Sequence, residues 1–343
     1  MLSRWLKVAK IAFFDLEGWE HKMLKQRFEP LGHELILESG PLRLDGAGKL
    51  SKVEVLSVFV HSRVGRRELE AMPKLRAVVT RSSGYDHIDL NACKERGVAV
   101  YNVPDYGSET VAEYTVMLIL MLLRRVGELG LRPSTKYPRS SEVRGWELAG
   151  KTVGVVGTGG IGSRVAKLVH AFGARVLAHD LYVNEELVRG YGVRYVDLDT
   201  LLSSSDVVTL HVPLTPATRH LVNRGNIRKM KRGAILVNTS RGGLVETEAL
   251  IEALDEGLLA GAALDVVEGE WALTGDAARR LNSAKAEEVR DGLLAYLVGR
   301  YPNVIVTPHV AWNTWEAVGR IWERTLDTID ELLREGNPQN RVV

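Results

Sequence analysis

The chain has 343 residues, of which 45% are hydrophobic and 26% charged, and its formal net charge is +2. This length exceeds that of one ordinary core and predicts two domains. The balanced charge, without a long basic block, gives no reason to expect a nucleic-acid partner.

The single cysteine, Cys93, excludes an internal disulfide framework and a cysteine-based zinc site, and we expect no metal. This composition fits the reducing cytoplasm. Residues 1–7 do not resemble a signal peptide. The most apolar run, Val116–Leu123, is much shorter than the ~20 residues that a membrane span requires, so no membrane partner is expected.

Strands alternate with helices along the first hundred residues, which is the pattern of parallel βα units. Short apolar runs predict the strands, and amphipathic segments between them predict the helices. The predicted strands are Lys10–Phe14, Glu34–Leu37, Val55–Val60, Ala77–Thr80 and Val98–Tyr101. The predicted helices are Trp19–Phe28, Arg66–Ala71 and Leu90–Glu95, and Gly40–Lys49 has the composition of a loop.

A break at Pro104–Gly107 precedes a long helix over residues 108–125, which we interpret as an interdomain helix. Residues 130–145 have loop composition, and a second βα series starts at Lys151. Its predicted strands are Thr152–Val156, Arg175–Ala178, Val207–Leu210, Ala234–Val237, Ala262–Val266 and Val304–Val306. The clearest helices are Ile161–Phe172, Glu246–Glu256 and Trp315–Arg334, and the last of them is expected to return to the first domain.

A glycine turn, Gly157-Thr158-Gly159-Gly160-Ile161-Gly162, follows the first strand of the second series and opens a helix. Such glycines allow close approach to a pyrophosphate, and the helix N-terminus supplies N–H groups for it. Asp180 ends the next strand, where a carboxylate binds the adenosine ribose hydroxyls and repels the 2′-phosphate of NADP. A plain turn followed by a solvated acid is the alternative, but the ordered set favours NAD.

Three polar residues, Arg241, Glu270 and His309, follow three later strands of this series. Because the carboxyl ends of parallel strands form the ligand-binding edge of a sheet, we expect them to meet beside the dinucleotide. Arg241 could bind a substrate carboxylate or carbonyl, while Glu270 could orient His309 and favour its protonated form for proton transfer. Taken singly, the three also fit a salt bridge, a solvated loop acid and a structural histidine. Asp265 could bind the nicotinamide carboxamide or cap neighbouring backbone.

Five sequence blocks carry a resemblance to a known family. They are Val153–Gly162, His211–Thr215, Asn238–Gly242, Ala263–Val266 and Thr307–His309. In this order they resemble the D-isomer-specific 2-hydroxyacid dehydrogenases over nearly the whole chain. The resemblance implies that Arg241 binds substrate, that Glu270 pairs with a catalytic His309, and that Asp265 contacts nicotinamide.

The same resemblance implies which residues bind the cofactor NAD. They are Gly157, Gly159, Gly160, Ile161, Gly162, Asp180, His211, Val212, Pro213, Thr218, Thr239, Ser240 and Asp265.

Four residues are expected to bind substrate. Ser83 and Gly84 resemble the family loop whose backbone N–H groups hold the substrate carboxylate, although an ordinary turn is the alternative. Tyr106 and Trp312 lie in segments that resemble the D-lactate dehydrogenase branch, where the tyrosine meets that carboxylate and the aromatic borders the substrate side chain. Tyr106 could otherwise be a linker aromatic, and Trp312 could pack between domains.

The chain departs from the family pattern at three places near Glu270 and His309. Asn313 stands where the D-lactate branch usually has an aromatic, and Trp271 replaces the proline that follows the catalytic glutamate. The stretch Trp271–Arg300 is long and charged, and Ala286–Val298 within it could form an amphipathic helix. These departures leave the size of the substrate open.

The resemblance implies an α/β fold of two domains. Residues 104–307 are expected to form a Rossmann-type doubly wound parallel sheet for NAD, and residues 1–103 with 308–343 a smaller, flavodoxin-like α/β substrate domain. The expected function is interconversion of a small 2-oxoacid, such as pyruvate, and its D-2-hydroxyacid. A homodimer through the nucleotide domain is also implied, because Trp146–Gly150 resembles the segment involved.

Other functions remain alternatives at this stage. A glyoxylate or hydroxypyruvate reductase and a 3-phosphoglycerate dehydrogenase would use the same chemistry on a different substrate. An NADH-sensing binding protein, similar to the corepressors built on this scaffold, would bind the cofactor and turn over poorly.

Overall fold

A computed structural model describes residues 8–44, 47–129, 141, 143–273, 284–334 and 336–343. The chain divides into two compact units, residues 1–106 with 314–343 and residues 107–313. Within the described residues, no helix is both long enough and apolar enough to cross a membrane.

The first unit contains a five-stranded, wholly parallel sheet with the order β2-β1-β3-β4-β5. This is the flavodoxin-like strand order. Strands β3 and β4 are buried along their whole length, as expected for parallel strands covered on both faces. The strands are β1 Lys10–Phe13, β2 Glu34–Leu37, β3 Val55–Val58, β4 Ala77–Thr80 and β5 Ala99–Tyr101, and the helices before the second unit are α1 Gly18–Phe28, α2 Arg66–Glu70 and α3 Leu90–Glu95.

The first unit is completed by residues from the far end of the chain. Helix α11, Trp315–Leu333, begins at Thr314, whose hydroxyl accepts a hydrogen bond from the Ala317 N–H. Its buried residues Trp322 and Ile329 pack in one apolar cluster with Phe13 of β1. Residues further on pair with β5, since the Val342 N–H donates to the Val100 carbonyl over 2.7 Å.

The second unit contains a seven-stranded parallel sheet with the order β12-β11-β10-β9-β6-β7-β8. If the strands are renumbered with β6 as strand 1, the order read from β8 to β12 is 3-2-1-4-5-6-7. This order contains the Rossmann arrangement 3-2-1-4-5-6, whose topological switch point lies between strands 1 and 4, here β6 and β9. The strands are β6 Thr152–Val156, β7 Arg175–His179, β8 Arg194–Tyr195, β9 Val207–Leu210, β10 Ala234–Asn238, β11 Leu259–Leu264 and β12 Val304–Val306. The helices are α4 Ser108–Leu123, α5 Val126–Leu129, α6 Gly160–Ala171, α7 Glu185–Tyr191, α8 Leu198–Ser204, α9 Thr247–Asp255 and α10 Ala286–Val298.

The main corrections to the predicted strand list concern β11 and β8, whereas β1, β3, β5, β7 and β10 differ from it by only one or two residues at one end. Strand β11 begins at Leu259, three residues before the predicted start, because Leu259 already pairs with Ala234 of β10. It ends at Leu264, so Asp265 is the first residue beyond the strand. Strand β8 was not predicted, because two residues are too few to show an apolar period. The predicted loop at 130–145 lies almost wholly outside the described residues.

Candidate active site

The three glycines of the turn after β6 serve different purposes. Gly157 has φ +90°, and a Cβ there would lie 2.8 Å from the His211 carbonyl. Gly162 lies against Gly157 so closely that a Cβ would overlap the Gly157 carbonyl oxygen. Gly159 has no protein atom within 4 Å of an ideal Cβ. The outer glycines therefore hold the turn together, while Gly159 leaves space for a ligand beside the start of α6, where Gly160 and Ile161 lie.

Asp180 is held in position by the same turn. Its Oδ2 accepts hydrogen bonds from the Thr158 N–H at 2.6 Å and the Thr158 hydroxyl at 3.0 Å. Partial burial opposes ionisation of Asp180, but the hydrogen bonds from Thr158, Tyr182 and Leu181 together outweigh it, and the net pKa of the carboxyl is lowered. The Thr158 hydroxyl in turn accepts from Tyr195 of β8 at 2.9 Å. Asp180 is thus an oriented carboxylate at the end of β7.

The segment after β9 forms the far side of the glycine turn. The His211 ring approaches the Thr209 hydroxyl at 2.9 Å through Nε2, and its buried Nδ1 meets no hydrogen-bond partner among the described residues. Burial lowers the pKa of His211 to about 3, so this ring is neutral. Beyond it, the Thr218 hydroxyl donates to the Pro213 carbonyl at 2.6 Å.

The segment after β10 is tied to this loop and to α4. The Ser240 hydroxyl donates to the Val212 carbonyl at 2.7 Å, and the Thr239 hydroxyl lies 2.8 Å from that of Thr115 in α4. The structure therefore brings together most of the residues expected to bind NAD, on the segments that follow β6, β7, β9 and β10.

Arg241 lies in the turn that follows β10. The Asn238 side chain donates to the Arg241 carbonyl at 2.9 Å, which fixes the backbone of this turn. At Gly242 a Cβ would lie 2.6 Å from the Glu268 nitrogen, so the turn packs directly on the backbone that follows β11. Arg241 is therefore anchored, through Gly242, against the segment that leads to Glu270.

Asp265 is 2% exposed, and its carboxylate accepts hydrogen bonds from the segment that contains His309. Its Oδ1 accepts from the Thr307 hydroxyl at 2.6 Å and the Val310 N–H at 3.0 Å, and its Oδ2 accepts from the Ala311 N–H at 2.9 Å. Of the two roles considered for Asp265, the structure shows the capping of neighbouring backbone. Its expected contact with nicotinamide remains a prediction.

Glu270 and His309 lie together. Glu270 Oε1 is 3.3 Å from His309 Nδ1, and both side chains are partly exposed. Because a carboxylate only accepts hydrogen bonds, Nδ1 carries the proton of this contact and Nε2 is left for another partner. His309 has φ +55°, an uncommon conformation for a residue other than glycine. Its N–H donates to the Asp265 carbonyl at 3.0 Å, so the same aspartate supports this conformation.

Trp312 is attached to the His309 backbone. Its indole Nε1 donates to the His309 carbonyl at 3.0 Å. The neighbouring Asn313 N–H donates to the Val310 carbonyl at 2.9 Å, which closes a turn directly after the histidine.

The remaining predicted substrate residues belong to the first unit. After β4, the Ser83 carbonyl accepts from Asn102 at 2.8 Å and the Gly84 carbonyl from the Ser82 hydroxyl at 2.6 Å. Ser83 is exposed, and in the described part of the chain no acceptor meets the N–H groups of Ser83 and Gly84. The Tyr106 carbonyl accepts from Arg320 of α11 at 2.7 Å. The loop after β4 can therefore present two N–H groups to an anion.

Two supporting roles were not predicted from the sequence. Tyr195 acts on Asp180 through Thr158, and Thr307, which lies in one of the five family-like blocks, binds Asp265. Neither contact has a local signal, because each joins distant segments. For metals, no cluster of three or more His, Cys, Asp or Glu side chains suited to an ion occurs within the described ranges.

Comparison with known proteins identifies relatives along the whole chain. The family model described as D-isomer specific 2-hydroxyacid dehydrogenase, NAD binding domain, matches residues 116–311. D-lactate dehydrogenase from Escherichia coli is 34% identical over 336 residues, which cover 97% of this chain and 100% of that protein. D-lactate dehydrogenase kk1H from Curvularia clavata is 42% identical over 306 residues, covering 88% of this chain and 85% of the relative.

A solved structure is similar to this one throughout. It is a D-lactate dehydrogenase from Aquifex aeolicus complexed with NAD and lactic acid. The TM-score is 0.85 at 34% identity, and the match covers 97% of this chain and 99% of that one.

Proposed function

The chain belongs to the D-isomer-specific 2-hydroxyacid dehydrogenases, and from that premise we propose that it interconverts a small 2-oxoacid of about the size of pyruvate and its D-2-hydroxyacid. The observation that carries the proposal is the 3.3 Å contact between Glu270 Oε1 and His309 Nδ1, in the unit whose sheet edge also holds the glycine turn. This contact orients the ring and leaves Nε2 without a hydrogen-bond partner among the residues that the structure describes.

The enzyme is NAD-dependent, and its residues fit this cofactor. Gly159 leaves an open cradle at the N-terminus of α6 for a pyrophosphate, and Asp180 presents an oriented carboxylate for ribose hydroxyls. When bound, NAD supplies the site that takes up or returns the hydride ion. Every proton in the reaction is left to the protein and solvent.

We assign the proton transfer to His309. In the reductive direction the protonated ring gives a proton from Nε2 to the substrate carbonyl oxygen while the carbonyl carbon gains the hydride. In the oxidative direction the neutral Nε2 takes the hydroxyl proton and the carbon loses the hydride. Glu270 accepts from Nδ1 throughout, which fixes the orientation of the ring.

Substrate binding is assigned to five residues, each from its own chemistry or surroundings. Arg241 has the charge and the planar fork that suit a carboxylate or a polarised carbonyl. For Ser83 and Gly84 the support is that no acceptor in the described part of the chain meets their N–H groups. For Tyr106 and Trp312 it is the family resemblance together with the bond of Trp312 to the His309 carbonyl. A substrate bound this way has its charge neutralised before the proton moves.

The test is a panel of 2-oxoacids with NADH and NADPH, followed by the loss of NADH absorbance. We expect turnover of pyruvate or a close analogue with NADH, and chiral separation should show a product of D configuration. Absence of turnover across the panel would refute the proposal. Preference for glyoxylate, hydroxypyruvate or a phosphorylated oxoacid would move the assignment to the corresponding reductase or phosphoglycerate enzyme.

We also propose a cytoplasmic homodimer. The dimer is supported by Trp146, which is 48% exposed and lies in the segment that resembles the family's dimer contact. The location is supported by the presence of only one cysteine, which is buried and unpaired. Light scattering should give twice the chain mass for the native protein and less for Trp146→Ser, and fractionation of cells should recover the enzyme with the cytoplasm.

A further inference from the structure

Helix α10 packs against the residues around Glu270. Residues 270–273 form a short 3-10 helix, and α10 packs against that helix and against α9. The buried face of α10 contains Gly292, Ala295 and Val298. Ala295 and Val298 are 0% exposed and belong to a hydrophobic core cluster of the second unit, so α10 is packed into the core of that unit.

Two glycines make the contact between α10 and the Glu270 turn. Gly269 has φ +73°, and a Cβ there would overlap the carbonyl group of Asp291 and the nitrogen of Gly292. At Gly292 a Cβ would lie 2.9 Å from the Ala272 Cβ and 3.1 Å from the Trp271 ring. The backbone of α10 therefore lies directly on the residues that precede and follow Glu270, at a distance that only glycine permits on either side.

Glu270 has little else to hold it in place. Its side chain is 46% exposed, and the hydrogen bond of its own N–H to the Val267 carbonyl is 3.2 Å long. The contact with His309 is already 3.3 Å, close to the limit of a hydrogen bond, so a small outward movement of residues 269–272 would break it. The reaction rate depends strongly on the position of a catalytic group, since a displacement of ~1 Å can cost about 10²-fold in rate.

We propose that α10, through Gly292, is a positioning element that keeps Glu270 within reach of His309. The inference rests on the proposed role of the Glu270–His309 pair. It gives α10 a function, and it makes Gly292 a positioning residue that itself touches neither substrate nor cofactor.

The test is Gly292→Ala, whose new methyl group should push residues 271–272 away from α10. We expect kcat to fall about tenfold with NADH affinity unchanged, and the pH profile of kcat/KM should match that of Glu270→Gln rather than the native profile. The matched control is Gly190→Ala, also a glycine inside a helix, where a Cβ meets no atom within 4 Å. Both variants gain the same helix propensity, and only the first should lose activity.

Rescue separates positioning from simple damage. Ala272→Gly combined with Gly292→Ala moves the methyl group from one side of the contact to the other, and it should restore most of kcat and the native pH profile. The double variant also serves as the test if Gly292→Ala alone does not fold. Native kcat and pH profile in Gly292→Ala, or a loss of activity that Ala272→Gly does not restore, would overturn the inference.

A measurement without turnover distinguishes failure of this inference from failure of the proposed function. The His309 Cε1–H signal in NMR spectra can be assigned by its loss in His309→Ala. In Gly292→Ala it should move to the position that it has in Glu270→Gln. An unmoved signal contradicts the inference even if the native protein reduces 2-oxoacids, and a moved signal supports it whichever substrate the enzyme prefers.

Discussion

At the glycine turn, backbone packs on backbone: Gly162 lies on the Gly157 carbonyl, and Gly157 lies on His211. At the Glu270–His309 pair, two partly exposed side chains meet over 3.3 Å, and one of them has a left-handed backbone. The glycine turn is fixed by close backbone contacts, both within the turn and with His211 from a distant segment. The alignment of the Glu270–His309 pair depends instead on the hydrogen bonds of Asp265 and on the packing of α10.

The largest effect on activity should come from a substitution in the Glu270–His309 pair. We expect His309→Gln to lower kcat by about 10²–10⁴-fold, because the proton donor is removed. NADH affinity should stay near native, since the turn is untouched, and fluorescence titration measures it. His170→Gln, at an exposed histidine of α6, is the control. Turnover near the native level in His309→Gln would assign the proton transfer to another group.

Two alanine substitutions test the turn. In Gly162→Ala the new Cβ would overlap the Gly157 carbonyl, so the free energy of unfolding should fall by about 1–3 kcal/mol and NADH binding should be lost. Gly159→Ala meets no protein atom, so it should unfold like the native enzyme while binding NADH more weakly. Thermal unfolding and NADH titration give both quantities. Equal stability loss in the two variants would contradict the different roles assigned to these glycines.

Asp265→Asn should weaken the support of the Glu270–His309 pair without altering the glycine turn at residues 157–162. An amide nitrogen would face an N–H donor of the 307–311 segment, so we expect a loss of about 1–3 kcal/mol in unfolding free energy and a lower kcat. Urea unfolding and initial rates measure these effects. Asp199→Asn breaks an exposed ion pair with Lys229 and should change stability by no more than about 1 kcal/mol. Weaker NADH binding with native stability would instead favour a nicotinamide contact.

At neutral pH the smallest effect is that of His211, which appears only as the pH falls below 6.5. His211 has a pKa near 3 in the folded protein and 6.5 as its ordinary value, so the unfolded chain binds the extra proton first as the pH falls. The neutral His211 ring therefore makes its full contribution to the free energy of unfolding above pH 6.5, and this contribution is lost progressively as the pH falls from 6.5 to about 3. Melting temperatures of the native enzyme should fall more steeply over this range than those of His211→Asn. Parallel pH curves would show that the ring is more hydrated than its burial indicates.

The sequence predicted the parts of the fold that have local signals. Parallel strands such as Ala77–Thr80 and Val304–Val306 are apolar runs bounded by polar residues, and their limits match the structure. The glycine turn and Asp180 follow from spacing alone. The two-residue strand β8 has no such pattern, yet Tyr195 within it supports the Thr158 hydroxyl that binds Asp180.

The supports of the catalytic pair could not be predicted in the same way. The contacts of Asp265 span 42–46 residues of sequence, and the packing of Gly292 on Ala272 joins α10 to the short helix at residues 270–273. An isolated glycine inside a predicted helix, such as Gly292, lowers the helix propensity, but the sequence does not show which other residues pack against it. Side-chain chemistry in the sequence indicated which groups react, and long-range packing determines how well they are aligned.

The dependence of the first unit on α11 has a consequence for synthesis of the chain. Residues 107–313 are contiguous and can fold as soon as they leave the ribosome, whereas β1–β5 have no Trp322 or Ile329 to cover them until more than two hundred further residues have been made. During that interval the apolar surface around Phe13 is open to chaperones and to aggregation. Slow translation of the second unit should therefore lower the yield of soluble enzyme chiefly through the part of the protein that was made first.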